Sequence, residues 1–403
     1  MTSCGRALAC LAVAAVSSVE PCAAGVWGWD PFVGVIGDYS TNPDLFDMGR
    51  TAETSGAVLF NAPTTYNGDA FLFTALPRLR LGNSQGFSST TSDYEHLDLK
   101  SEFDTERSIL SLAGSVARDS SLYHDYIVDG TAGVERNTVT ADVNWDRQFS
   151  ERVSFDADLN SARVRYGQAQ GSATLTNYMY TSAAPTLSWD QSEKGKLTAG
   201  ASAGLYKSLD GTTRSENANL QIGFVRRLTE LWTVTATGGY SRAINTLHTD
   251  IERPVIIDGF LFFELVPAKI EASENGTVFT LNASRQAALL LVNVIASRQL
   301  VPSGFAYLSR QQSYEATASY PTSPRWTLSG DLRYVKSQDP VLTGTLDRNV
   351  RYASLSSAWR WTEQWTITTN LARVLEDLSA PHVNLASTEI SIQISRQFNH
   401  MKF

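Results

Sequence analysis

Four aspartates carry the most concentrated chemistry in the chain: Asp142 and Asp146 in one alternating segment, Asp156 and Asp158 in the next. Carboxylates gathered this way can hold a divalent cation. If all four face water, however, they stay solvated, and no metal site is expected. The five histidines, His96, His124, His248, His382 and His400, are scattered along the sequence. A hydrolase would need a serine, a histidine and an acid brought to one rim by the fold. The Gly-x-Ser-x-Gly spacing occurs at Gly82-Asn83-Ser84-Gln85-Gly86 and Gly200-Ala201-Ser202-Ala203-Gly204, but in alternating segments rather than at a strand-to-helix elbow, and no His-Glu-x-x-His pair occurs. The expectation is a protein that is not an enzyme, with no catalytic residues and no cofactor.

The elements that must position these groups alternate apolar and polar residues with a period of two, the period of β-strands. Trp232, Val234, Ala236, Gly238 and Tyr240 share one face of their segment, with Thr233, Thr235, Thr237 and Ser241 opposite. Trp326, Leu328, Leu332 and Tyr334 repeat this against Thr327, Ser329, Asp331 and Arg333, as do Ala353, Leu355, Trp359 and Trp361 in their own segment. Such segments follow one another from about Ala70 onward. They suit the ~9–11 residues that a tilted strand needs to cross a membrane, against ~5–6 in ordinary sheets. Tryptophan and tyrosine recur at their ends, as expected for rings at headgroup level. The predicted fold class is all-β, a transmembrane antiparallel up-and-down β-barrel of 16–18 strands.

Composition agrees. Charged residues are 18% and hydrophobic residues 42%, leaner in charge than the ~25% usual for soluble domains. No stretch after the N-terminus reaches the ~20 apolar residues of a membrane helix. The net charge of -8 and the lack of basic clusters argue against nucleic acid. Residues 1–24 read as a signal peptide: Arg6, an apolar run from Ala7 to Val19, then Cys22 and Ala24 at the small positions. Glu20-Pro21-Cys22 lacks a lipobox. Cys4, Cys10 and Cys22 all lie in that segment, which leaves no mature disulfide.

Short polar turns, such as Ser150-Glu151, Glu193-Lys194-Gly195, Thr229-Glu230 and Thr362-Glu363, alternate with longer connections. Short turns belong to the periplasmic rim, long loops to the outside. Counting back from the C-terminus places sixteen strands, centred near Ile392, Thr368, Leu355, Leu328, Ala316, Val292, Leu281, Ala236, Leu220, Ala201, Ala184, Phe155, Ala141, Leu112, Leu99 and Leu76. Residues 70–398 form this barrel. Within residues 25–69, the segments Phe32–Ser40 and Gly56–Asn61 either add a first hairpin, making eighteen, or form a periplasmic or lumenal piece. Residues 399–403 are a tail.

Parity assigns the pore lining: His96, Asp98, Lys100, Glu102, Asp142, Asp146, Asp156, Asp158, Asp331, Arg333, Arg360 and Glu389 face inward. Acids predominate. Such a lining favours cations, or forms a wet sugar path with hydroxyls and aromatics, although any barrel lumen must be polar. The connection 243–276 is long and apolar, with Val255-Ile256-Ile257 and Phe260-Leu261-Phe262-Phe263 flanking Asp258-Gly259, a pair suited to a hairpin turn. Either Ile256, Asp258, Gly259, Phe260 and Phe262 fold into the mouth as a constriction, or the arms are strand extensions above the membrane.

In the last strand Ile390, Ile392, Ile394 and Phe398 share a face, an assembly signal for the barrel-assembly machinery. Phe403 has the opposite parity. Three places resemble a β-barrel porin family of Gram-negative outer membranes whose members often accompany exopolysaccharide-synthesis genes. These are Asp38-Tyr39-Ser40-Thr41-Asn42-Pro43-Asp44-Leu45-Phe46, the strand Leu76-Pro77-Arg78-Leu79-Arg80-Leu81, and the unit seen in Arg147-Gln148-Phe149-Ser150-Glu151-Arg152 and Arg227-Leu228-Thr229-Glu230-Leu231-Trp232. The resemblance implies a pore or an export role and brings no catalytic residues. The expected partners are outer-membrane lipid and lipopolysaccharide, with polysaccharide or small hydrophilic solutes as cargo. The rival readings are a non-conducting structural barrel and a barrel hydrolase.

Overall fold

The structure, a computed structural model, describes residues 25–42, 45, 52–85, 94–120, 134–167, 175–257, 260–303, 308–338, 348–379 and 382–402. The signal-peptide reading of residues 1–24 lies outside them.

The described strands are β1 (Val26–Trp29), β2 (Phe32–Ser40), β3 (Glu53–Asn61), β4 (Thr64–Asn67), β5 (Phe71–Gln85), β6 (Tyr94–Thr105), β7 (Ser108–Ser120), β8 (Glu135–Ser150), β9 (Val153–Tyr166) and β10 (Tyr178–Ser192). They continue as β11 (Gly195–Ser208), β12 (Thr213–Arg227), β13 (Trp232–Ile257), β14 (Phe260–Gln286), β15 (Leu291–Pro302), β16 (Leu308–Ser323), β17 (Trp326–Gln338), β18 (Arg348–Arg360), β19 (Trp365–Ser379), β20 (His382–Gln397) and β21 (Met401–Lys402). All pair antiparallel. The wall is a closed ring of eighteen, β2, β3 and β5 to β20. It closes where β2 meets β20, from Phe32 opposite Gln397 to Ser40 opposite Glu389. Closure gives the strands of the wall neighbours on both sides, the condition for a sheet in lipid, except where β15 leaves β14 above Arg298. With strands ~4.8 Å apart and tilted ~40°, a circular ring of this size is roughly 36 Å across between backbones.

Each of the sixteen predicted centres falls inside one of β5 to β20, because a period-two pattern leaves a strand no other face to present. Residues 25–69 do two things. β2 and β3 complete the wall, while β4 continues along β5 at the short-turn end, Thr64 opposite Ala75, and β1 pairs with β4. Pro31 and Pro63 mark the breaks between wall and extension, since neither can donate to the ladder. The tail contributes as well: Met401 lies opposite Trp29, adding β21 to that small sheet.

The outer face is apolar. Leu220 and Ile222 are 70% and 74% exposed, and Val35, Leu332, Leu355, Ile390, Ile392 and Ile394 continue the band. At the short-turn rim Trp145, Trp189, Trp326, Trp359, Trp365 and Phe398 stand exposed, and Arg396 lies over the rings of Trp365 and Phe398. In water such a surface would be an aggregation site; in a bilayer it is the lipid contact.

The 243–276 connection is paired strand throughout. The ladder of β13 and β14 runs unbroken from Trp232 opposite Arg285 to Ile257 opposite Phe260, whereas β12 stops pairing at Leu247. The backbone is therefore that of a strand extension, some ten residues and roughly 34 Å long at ~3.4 Å each. Asp258 and Gly259 lie outside the described residues, and the side chains of Ile256, Phe260 and Phe262 are not among those described. Pairing gives the facing backbone groups of the arms their partners, and the groups along the two free edges, beyond the reach of β12 and β15, are left to water.

Candidate functional site: the lumen

Cross-strand register sets the lumenal face strand by strand, because residues directly opposite point the same way. On β6, His96, Asp98, Lys100 and Glu102 lie opposite Ala117, Ser115, Ala113 and Ser111 of β7, on the inner face. Asp142 and Asp146 of β8 and Asp156 and Asp158 of β9 share that face, as do Asp331 and Arg333 of β17 and Glu389 of β20. Arg360 has inward parity but ends β18 at the short-turn rim.

Several of these groups come together with residues that the sequence reading passed over. Arg78 of β5 pairs with Asp98, which also meets His96, and Lys100 pairs with Glu102 at 3.1 Å. Arg80 pairs with Asp38 of β2 at 2.6 Å, next to Glu389. Asp119 and Arg136 form a two-pronged pair, both bonds 2.9 Å, with the carboxylate side chain 2% exposed. Arg333 lies between Glu315 at 3.5 Å and Asp331 at 3.6 Å. Parity on β5 and β7 would have found Arg78, Arg80 and Asp119.

The aspartates of β8 and β9 form a ladder with asparagines. Asn144 donates to Asp156 at 2.9 Å and to Asp158 at 2.6 Å, Asn160 donates to Asp142, and Asp146 stands directly opposite Asp156. Among the described ion pairs none involves these four carboxylates. Amide donors hold them in place without cancelling their charge, so this part of the wall presents a negative field to the lumen.

From β10 to β14 the lining is mostly neutral, with Tyr180, Ser182, Ser202, Asn217, Asn219, Gln221 and Thr280, although Glu274 of β14 shares this face. Against this wall lies a segment that sequence reasoning missed. β15 pairs with β14 only up to Arg298 opposite Phe279, yet it stays paired with β16 up to Pro302 opposite Leu308. Above Arg298 the β15–β16 hairpin leaves the wall and turns inward. Its side chains of outward parity meet the inner faces of other strands. Leu308 is 0% exposed and packs with Val134, Val164, Tyr166, Tyr178 and Tyr206. The Tyr206 hydroxyl donates to the Ser303 carbonyl at 3.2 Å. Arg310 pairs with Glu274 of β14 and donates to the Asn275 carbonyl at 3.2 Å. A Cβ on Gly276 would sit 2.5 Å from the Arg310 guanidinium, so a side chain there would push the arginine off β14. The lumen is narrowed by this hairpin, whose tip at 304–307 lies outside the described residues.

No family model matches the chain, and no curated protein matches it. Among solved structures it is similar to OccK7 (OpdD) of Pseudomonas aeruginosa, at 13% identity over 93% of this chain and 99% of that one, with a TM-score of 0.46. It is similar to OpdQ of the same organism at 12% identity over 94% and 98%, TM-score 0.43. The copper transporter OprC matches at 9% identity and TM-score 0.46 over 88% of this chain, which spans only 64% of that one. The assignment rests on the molecule itself: a closed ring of antiparallel strands, apolar outside and polar within, is an outer-membrane β-barrel.

Proposed function

We propose that the protein is a pore for small hydrophilic solutes, with a preference for cations. The observation that carries this reading is the closed eighteen-stranded ring, a size that leaves an aqueous channel, with four carboxylates of β8 and β9 facing the lumen unneutralised. The inward hairpin narrows the passage and makes it more selective than an open ring would be. Purified, folded protein in a planar bilayer should give unitary currents; a barrel that inserts but never conducts would overturn the reading and leave the non-conducting structural barrel.

Export of an exopolysaccharide is the narrower reading. It rests on the sequence resemblance and on the mostly neutral, hydroxyl-bearing arc of β10 to β14. A deletion strain should accumulate polymer in the periplasm and release less of it; unchanged release would sink this reading. Assembly would pass through the barrel-assembly machinery, with Ile390, Ile392, Ile394 and Phe398 as the strand it reads, into a membrane of lipid and lipopolysaccharide.

A further inference from the structure

Between the inner face of β10 to β14 and the inward-turned Gln299–Leu300, just past the last β14–β15 pair at Arg298, lies a cavity of about 180 Å³. We infer that it is a binding subsite for a neutral, hydroxyl-rich ring such as a single sugar unit, taken from the solutes that the proposed pore admits. The argument begins with unmet hydrogen bonds. Asn217 is 7% exposed and lines the cavity, and its Oδ1 has no partner; nor has the buried Oδ1 of Asn219. Asn219 is held in place from its other end, where Nδ2 donates to Ser202 at 2.8 Å, so its orphan oxygen is presented in a set direction. A buried acceptor left unmade costs about 1–3 kcal/mol, a cost that a donor from a ligand would relieve.

The chemistry of the lining selects the ligand. Asn217, Asn219 and Gln221 are uncharged, and the Gln299 amide on the hairpin side supplies donors, while the Arg298 guanidinium points to the outer face toward Thr277. A group that both donates and accepts suits such a mixture, which is the behaviour of a hydroxyl. The aspartates of β8 and β9 are not part of this lining. Space has been kept open here as well. A Cβ on Gly204 would fall 2.4 Å from the Asn217 Oδ1 and 2.5 Å from the Tyr180 hydroxyl, so a larger residue would displace both groups.

Saturation-transfer NMR on the folded barrel in detergent, with D-glucose as the probe and glucuronate as its charged counterpart, tests this directly. Saturable transfer to glucose is expected, weakened at least fivefold in Asn217→Ala and Asn219→Ala and largely kept in Asn219→Ser. Gly204→Ala should weaken it too, with heat-modifiable mobility on gels reporting that each variant is folded. No saturable transfer to glucose, equal transfer in the folded alanine variants, or tighter binding of glucuronate would each overturn the assignment. The signal does not depend on current, so a barrel that binds glucose without conducting would fail the pore reading and keep this one.

Discussion

The hydroxyl of Tyr206, on the inner face of β11, donates to the carbonyl of Ser303, 97 residues further along the chain. This bond ties the inward hairpin to β11, a strand with which it has no pairing. Tyr206→Phe keeps the ring and loses the bond, at a cost of about 1 kcal/mol. Single-channel recordings should then show noisier currents; Tyr206→Ala, which also empties the packing around Leu308, should raise the mean conductance. Unchanged traces in both would mean that the hairpin does not limit the current.

Arg310 and Glu274 should act as one unit. Arg310→Ala and Glu274→Ala each free the same hairpin edge, so the double variant should conduct little more than either single one. A double-mutant cycle on conductance reads the coupling; additive effects would show that the pair does not hold the hairpin.

Deleting residues 253–267 should leave conductance unchanged, because these residues belong to a paired extension above the point where β12 ends. A clear rise in conductance would put this segment in the mouth instead.

Asp156→Asn with Asp158→Asn should lower the cation-to-anion permeability ratio, read as a shift of the reversal potential toward the anion value in a KCl gradient. The pair Asp331→Asn and Arg333→Gln removes one charge of each sign and should shift it less.

Alternation predicts opposite outcomes at adjacent positions. Leu371 faces outward, 49% exposed, and Asn370 faces the lumen. Leu371→Arg should cost roughly 2–4 kcal/mol if it sits near the bilayer midplane, measured by denaturant unfolding from vesicles, and Asn370→Arg far less.

Asp210, in the turn after β11, has its carboxyl held below the usual range. Slight burial works against this, but bonds from Ser208 and from the Thr212 amide and hydroxyl, at 3.0 and 2.8 Å, outweigh it. A folded pKa below the unfolded one means stability that is present above the unfolded value and lost as pH falls through the folded one. Carboxyl-carbon NMR titration should show the Asp210 midpoint rising in Thr212→Val; an unmoved midpoint would assign the shift to other contacts.

The sequence by itself determined the wall. Strand positions, the outward band of Leu220, Leu355 and Ile392, and the inward set from His96 to Glu389 all follow from a period of two, because a strand between lipid and water has only two faces to fill. Tertiary structure alone decided what happens inside. Arg310 and Leu308 have outward parity, and only the departure of β15 from β14 above Arg298 turns them toward the lumen. Pairing partners decided the apolar hairpin likewise: its composition suited a plug, but β13 and β14 stay paired with each other along their whole length. Local pattern sets which way a side chain points from its strand; where that strand goes depends on contacts between residues a hundred positions apart, which no local pattern records.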